Sequence, residues 1–327
     1  MCGDSSGEYT AAIRLRAPRF GGTSEDLVRA LLLIALMLQA QAPAPAPPPS
    51  TDIYLVLLKG GLASMKAAKP TPVSTAPGYD NQPYFSADGN RLLFAFNHDG
   101  KQTDVGLFNR ENGRVAQMTD TPENENSPTY LPAGIGENGG FSVVRSEMDK
   151  TQRLWRFNAA GRDPQLILTD IKPVGYHAWV DADRLALFVL GEPNSLQLAS
   201  VKTGKGEVAA NGIGRSLHRI PGTRMASFVH REPSGEYWIK QIDIDSKKIE
   251  PLTKVVDGAT DRDMAWMPDG RTILMSGRTK VFSWTRGGSS WTEVFDAASH
   301  NLGAVSRIAV SPKGDAIAIV VAEAAKK

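Results

Sequence analysis

The side chains in this chain that are best suited to bind a metal ion or to move a proton are its five histidines. They are His98, His177, His218, His230 and His300. His177 and His218 lie just before equivalent points of two neighbouring repeats, which are described below. Histidines at equivalent positions of neighbouring repeats can bring their imidazoles together to ligate a metal ion, and this is one interpretation of His177 and His218. The other is that two of five histidines fall at similar positions by chance, and we expect neither a metal ion nor a cofactor.

Other catalytic patterns are incomplete in the sequence. A serine hydrolase needs a Gly-x-Ser-x-Gly turn, and residues 287–290 do not supply one. The acidic segment 243–245 resembles the start of a calcium loop, but Lys248 and Lys254 stand where that loop requires glycine and glutamate. The only cysteine, Cys2, precedes the expected mature chain. These patterns favour a protein without a catalytic centre, although they leave an enzyme as the alternative.

The elements that would position any site are copies of one strand–turn–strand unit. In its best copy the turn 86–90, with the sequence Ser-Ala-Asp-Gly-Asn, leads into the apolar run 92–96, whose composition is typical of a strand. Copies of this unit recur every 40 to 49 residues, the period of a four-stranded propeller blade. Their equivalent points, which we call anchors, are Ser86, Leu131, Val180, Ile220, Met267 and Ser311. The sequence therefore predicts six blades.

The two ends of the repeat array are complementary. The last hairpin, 307–321, is not followed by the two outer strands that the other blades have. Residues 51–56 match 103–108, an outer strand of the first blade, and 71–75 stand where the next outer strand should be. We therefore predict an all-β fold over residues 51–327: a six-bladed β-propeller of four-stranded antiparallel blades, closed by amino-terminal strands that complete the last blade.

A polar set of side chains precedes the anchors and is expected to ring one mouth of the central channel. A concave polar mouth is the default binding site of such a fold. Its candidate ligand- or partner-binding residues are Asn81, Gln82, Asn126, His177, His218, Arg262, Asp263 and Arg307. A ring of this composition can hold a peptide, a sugar or only water, and the sequence leaves these alternatives open.

The amino terminus has the features of an export signal. An apolar run of nine residues, 30–38, follows Arg29 and precedes the small-x-small pattern Ala40-Gln41-Ala42. We predict a signal peptide region over 1–42, cleavage near Ala42 and a periplasmic or secreted product; a buried helix of the domain is the alternative. The run is too short for a transmembrane anchor, which needs about 20 residues.

Two further features of the amino-terminal region bear on processing. Acidic residues in 1–26 do not suit a signal peptide, and one hypothesis places the true translation start near 27–28. Residues 43–50 form a proline-rich linker, for which a stiff spacer is a commoner role than a recognition ligand.

Composition restricts the class of partner. The chain has 327 residues, of which 41% are hydrophobic and 22% charged, as in an ordinary globular protein. Its formal net charge of +2 gives no large field of one sign. We therefore expect no nucleic-acid partner.

The segment 79–83 (Tyr-Asp-Asn-Gln-Pro) and the turns at 86–89, 267–270 and 311–314 resemble those of the TolB-like, WD40-like six-bladed β-propeller family. The resemblance covers 51 to the end. It implies a non-enzymatic protein-interaction or scaffold module in the cell envelope, with an envelope protein as partner and a small ligand in the channel as a further option. Because related repeats also occur in peptidases and lyases, it leaves a channel-mouth enzyme acting on a carbohydrate or small metabolite, or a sugar or peptide sensor, as alternatives. TolB proteins carry an additional α/β domain before the propeller, and we expect the resemblance to be to the propeller only, without that domain.

Overall fold

A computed structural model describes residues 49–74, 76–136, 138–260 and 262–322. The predicted signal peptide region, the translation start and most of the proline-rich linker lie outside these ranges. Within them, no helix combines the length and the apolar character needed to cross a membrane.

The chain begins with β1 (Thr51–Leu57), a 3-10 helix (Leu62–Ala67) and the short β2 (Thr71–Pro72). Groups of four antiparallel strands, which we call quartets, follow. Quartet 1 consists of β3 (Tyr79–Phe85), β4 (Arg91–Asn97), β5 (Asp104–Asn109) and β6 (Arg114–Gln117). Quartet 2 consists of β7 (Asn124–Tyr130), β8 (Phe141–Ser146), β9 (Gln152–Phe157) and β10 (Gln165–Leu166). Quartet 3 consists of β11 (Val174–Trp179), β12 (Arg184–Val189), β13 (Ser195–Ser200) and β14 (Lys205–Asn211).

The second half of the chain repeats the arrangement. Quartet 4 consists of β15 (Ile213–Arg219), β16 (Met225–Arg231), β17 (Tyr237–Asp243) and β18 (Ile249–Lys254). Quartet 5 consists of β19 (Met264–Trp266), β20 (Thr272–Gly277), β21 (Lys280–Thr285) and β22 (Thr292–Asp296). A second 3-10 helix (Ala297–His300) leads to the hairpin of β23 (Val305–Val310) and β24 (Ala316–Ala322). The fold is thus all-β, built of four-stranded antiparallel sheets that are consistent with propeller blades.

The amino-terminal strands lie in the same sheet as the carboxy-terminal hairpin. β1 runs antiparallel to β24 from the pair Thr51 and Ala322 to the pair Leu57 and Ala316, and β2 pairs with the other edge of β1. We call β23, β24, β1 and β2 the terminal quartet. A bridge between Thr51 and Tyr79 joins it to quartet 1 as one eight-stranded sheet.

The core lies between the sheets. The second strand of each quartet is an almost continuous apolar run, as expected for a strand covered on both faces, and Ile317 to Val320 of β24 are fully buried. Among the described residues, six apolar clusters fill the spaces between successive quartets. One of them packs Phe94 of quartet 1 against Ala318 and Ile53 of the terminal quartet. Each sheet therefore buries both faces against its neighbours.

Short turns join the first two strands of several quartets, and two of these turns are in contact. Gly89 occupies the left-handed region with φ of 67°, and a Cβ there would lie 2.7 Å from Ser311 Oγ. The turn of quartet 1 consequently contacts the turn of the terminal quartet.

Candidate functional site

The innermost strands enclose a cavity of about 410 Å³. Its walls come from the first strand of each quartet, namely β3, β7, β11, β15, β19 and β23. The volume falls in the range of roughly 300–1,000 Å³ that is typical of ligand pockets. The cavity is therefore the candidate site.

Bulges aim side chains from the innermost strands into this cavity. In β3 the register shifts between Asn81 and Tyr84, and the backbone of Gln82 has φ of 57°. The Asn81 side-chain oxygen accepts a hydrogen bond from the Gln82 amide at 2.8 Å. Pro83 has no N–H to give to the ladder, which suits a position where the strand leaves its register. An extra residue in a strand turns the following side chains, so the bulge places Gln82 in the cavity wall.

β7 repeats this local structure one quartet later. Its register shifts after Asn126, Ser127 has φ of 52°, and Pro128 follows. The Ser127 amide donates to Gln82 Oε1 at 2.6 Å, which joins the two bulges across the boundary between quartets 1 and 2. Within the described ranges, the hydroxyl of Ser127 is buried without a hydrogen-bond partner. Two neighbouring strands thus contribute to the cavity wall a Gln82 side chain held by a hydrogen bond and a serine with an unpaired hydroxyl.

Arg307 reaches across the cavity from the terminal quartet. One of its Nη2 protons is donated to Tyr176 Oη of quartet 3 at 2.7 Å, and the guanidinium carbon lies 5.0 Å from the centre of that ring. Nη1 lies 3.8 Å from an oxygen of Asp263, whose other oxygen accepts from the Ile308 amide at 2.8 Å. The contact between Arg307 and Tyr176 therefore links the terminal quartet to quartet 3 across the cavity.

His177 is buried and neutral. Burial lowers its pKa to about 3, because the imidazolium would lose its hydration. Its Nε2 lies 2.7 Å from Ser142 Oγ, and this hydroxyl accepts from Trp179 Nε1 at 2.9 Å. The other ring nitrogen, Nδ1, is buried and has no partner among the described residues. His177 can consequently act as a neutral hydrogen-bonding group.

His218 also lines the cavity, next to Ser216. Its Nε2 lies 3.2 Å from Ser216 Oγ, which accepts from the Met264 amide of the next quartet at 3.0 Å. Burial lowers the pKa of His218, with a smaller lowering from the charge of Arg307 and an opposing effect of Asp263. Both histidines near the channel are therefore held in the uncharged form.

The structure brings five of the eight predicted residues into the cavity wall: Gln82, His177, His218, Asp263 and Arg307. Asn81 instead donates to Thr51 Oγ1 at 3.2 Å. Asn126 pairs with Val144 in the ladder, and the Arg262 guanidinium stacks on Tyr237 at 3.6 Å.

The remaining histidines lie outside the cavity wall. His98 contacts Asp80 at 2.8 Å, His230 contacts Glu232 at 2.9 Å, and the ring of His300 stacks on Phe295. Over the ranges that the structure describes, no three residues of the types His, Cys, Asp and Glu come together as a set that could hold a metal ion.

Sequence reasoning did not find two serines of this site. Ser127 lies inside the bulge and Ser142 lies on β8, one strand away from the cavity wall. A signal for Ser142 exists in retrospect, since it is a polar residue within the apolar run 141–144 and is fully buried. Ser227 in β16 has the same setting and likewise accepts from a tryptophan of the next quartet, Trp266, at 2.8 Å.

Comparison with solved structures shows similarity to two TolB structures. One, described as a putative TolB from Agrobacterium tumefaciens, has a TM-score of 0.64 and 16% identity, and the match covers 84% of this chain and 99% of that chain. TolB from Acinetobacter baumannii has a TM-score of 0.54 and 13% identity over 83% of this chain and 64% of that one. This chain has a β-propeller-like fold.

An enzyme structure is also similar in fold. The GH74 enzyme of Niastella koreensis has a TM-score of 0.52 and 10% identity, over 74% of this chain and 44% of that chain. No protein-family model and no curated protein sequence matches the chain. Since the likeness is of low identity, it establishes the fold and leaves the function to the site.

Proposed function

We propose that this protein is an exported, non-enzymatic TolB-like propeller that acts as a protein-interaction or scaffold module in the cell envelope. In this proposal its strands form six blades closed into a ring by β1 and β2, and a partner protein binds at the cavity. The observation that carries it is a ligand-sized cavity whose wall takes one strand from every quartet.

Contacts between quartets support the closed ring. β23 packs against β19 of quartet 5 and also against β3 of quartet 1, so the terminal quartet has a neighbour on each side. The apolar clusters follow the same order, from quartet 1 through to the terminal quartet and back. A closed ring leaves no blade face open to solvent.

Exposure supports a partner that approaches from the anchor end. Four lining residues within two positions of an anchor are exposed, and we call them the rim: Tyr84, Arg219, Pro268 and Pro312. Tyr84 is 42% exposed and is therefore accessible to a partner. Aromatic side chains and arginine are the residue types that most often anchor protein interfaces.

Site-specific photo-crosslinking in cells that express the protein tests this proposal. Tyr84 on the rim is replaced by p-benzoylphenylalanine, and Met148, which is 70% exposed outside the cavity, is replaced in a matched control. The proposal expects an adduct of defined mass from the Tyr84 variant, with an envelope protein identified by mass spectrometry. Adducts from Met148 alone, or a Tyr84 variant that reacts with no protein, would overturn it.

A second candidate is a cavity enzyme that acts on a carbohydrate or small metabolite, because both His177 and His218 line the cavity. In that case the protein purified without chelators should contain manganese, calcium or zinc in stoichiometric amount. A double substitution, His177→Ala with His218→Ala, should remove the metal. Metal-free protein that still captures a partner argues against this candidate.

A further inference from the structure

The positively charged side chain of Arg307 is mostly buried and has few hydrogen-bond partners among the described residues. Only 12% of its side chain is exposed. A guanidinium has five N–H donors, and the described residues provide Arg307 with one hydrogen bond, to Tyr176, a contact with the face of that ring, and one long ion pair at 3.8 Å, to Asp263. Removing a charge from water is costly unless an opposite charge and hydrogen bonds compensate for it. The compensation inside the protein is incomplete.

Tyr176 has a spare donor at the same place. Its hydroxyl oxygen accepts from Arg307, so its own proton is available to a second acceptor. Oδ2 of Asp263 is already engaged with the Ile308 amide. The guanidinium and the phenol together present N–H and O–H donors to one point of the cavity, the arrangement that suits a carboxylate.

The charged residues of the cavity wall also favour a negatively charged ligand. Among the described lining residues, Arg219 and Arg307 carry positive charge and Asp263 carries a carboxylate, while Arg215 has an interaction partner of its own. The two lining histidines add no charge, since burial holds both in the neutral form. Over the described residues, Arg219 and Arg307 therefore outnumber the carboxylate, which favours an anion.

A neutral polar subsite lies in the same cavity. His177 is 7% exposed, and among the described residues its Nδ1 has no hydrogen-bond partner. Ser127 Oγ, from the neighbouring quartet, is likewise buried and unpaired within this part of the chain. Buried polar atoms are almost always hydrogen-bonded, so two unpaired atoms in residues that line one cavity are candidates to bond a ligand.

We propose that the cavity is a binding site for a carboxylate next to a neutral polar group, with Arg307 and Tyr176 holding the carboxylate and His177 and Ser127 bonding the neutral group. This deepens the proposed function and rests on it, because it names the chemistry that a partner would present. Two sources offer that chemistry: the carboxy terminus of a peptide, with its preceding amide, and a sugar acid, with its hydroxyls.

Calorimetric titration with paired small probes tests the proposal and distinguishes the sources. Hippurate carries an amide beside a carboxylate, and hippuramide is its uncharged match; glucuronate and glucose are the corresponding sugar pair. We expect the carboxylate of one pair to bind at least 10-fold more tightly than its neutral match, as hydrogen bonds to charged groups imply. Preference for hippurate indicates a peptide terminus, and preference for glucuronate indicates a sugar acid. Failure of both acids to bind better than their neutral matches overturns the proposal.

Variants identify the residues that bind the probe. Arg307→Met should weaken binding of the acid by roughly 10- to 100-fold, and Tyr176→Phe, which keeps the ring but removes the hydroxyl, should weaken it several-fold. The matched control is Arg114→Met, which removes an equal charge from the exposed outer strand β6, outside the cavity wall, and should change affinity less than threefold. If Arg307→Met does not fold, Tyr176→Phe alone decides the outcome. Equal losses in Tyr176→Phe and Arg114→Met would contradict the assignment.

The titration with small probes and the crosslinking experiment can fail separately. If a partner crosslinks at Tyr84 but neither acid binds, the carboxylate assignment fails and the proposed function stands. If an acid binds and no protein crosslinks, the cavity is a small-molecule site and the scaffold function fails.

Discussion

Replacing Ile53 by alanine tests whether β1 is an integral part of the sheet that contains the carboxy-terminal hairpin. Ile53 is fully buried and packs against Phe94 and Ala318 in the cluster between the terminal quartet and quartet 1. The substitution removes three carbon atoms, a transfer loss of roughly 2.4 kcal/mol at about 0.8 kcal/mol per carbon. A residual cavity increases the loss, and we expect a destabilisation of about 2–5 kcal/mol.

Leu57→Ala in the same strand is the matched control, because Leu57 is 39% exposed. Its expected cost is below about 1 kcal/mol, in line with substitutions away from the core. Urea unfolding followed by tryptophan fluorescence measures both, and the midpoint should fall much further for Ile53→Ala at an unchanged slope. Equal effects of the two substitutions would refute the packing of β1 in the core.

Two other predictions concern the seam and the cavity. Gly89→Ala should destabilise the protein more than Gly113→Ala, since both glycines have φ near 68° but only Gly89 faces a close atom, at Ser311; equal melting temperatures would contradict this contact. Because the unfolded chain binds a proton at His177 near pH 6.5 and the folded one near pH 3, stability should rise with pH across this window by up to about 1.4 kcal/mol per unit. His177→Gln should flatten that slope in denaturant titrations, and an unaltered slope would show that His177 titrates normally.

The architecture was largely predictable because strand periodicity and turn chemistry are local. The segment 51–56, which the sequence predicts beside the last hairpin, lies within β1, and β1 pairs with β24 of that hairpin. The last strand of quartet 2, β10, is only two residues long. Its pairing continues irregularly, with the Ile167 amide donating to the Leu154 carbonyl at 2.9 Å.

The cavity wall was only partly predictable because bulges change which side chains face inward. Side chains alternate between the two faces of a strand, and one extra residue reverses the alternation. Asn81 and Asn126 precede the bulges and stay out of the wall, whereas Gln82 and Ser127 lie in it. A fixed number of residues before each anchor, which is all that the sequence provides, does not show which of these side chains faces the cavity. The contact of Arg307 with Tyr176 joins residues from quartets that are far apart in the chain, and no local pattern specifies it.

Hydrogen–deuterium exchange of the purified protein, with and without the partner identified by crosslinking, tests the central claim that this cavity is the binding site. The turns at the rim, 220–223, 267–270 and 311–314, should exchange more slowly when the partner is bound. The outer strands β6 and β14 should be unchanged. Protection confined to the outer strands, with the rim turns unaffected, would contradict the account.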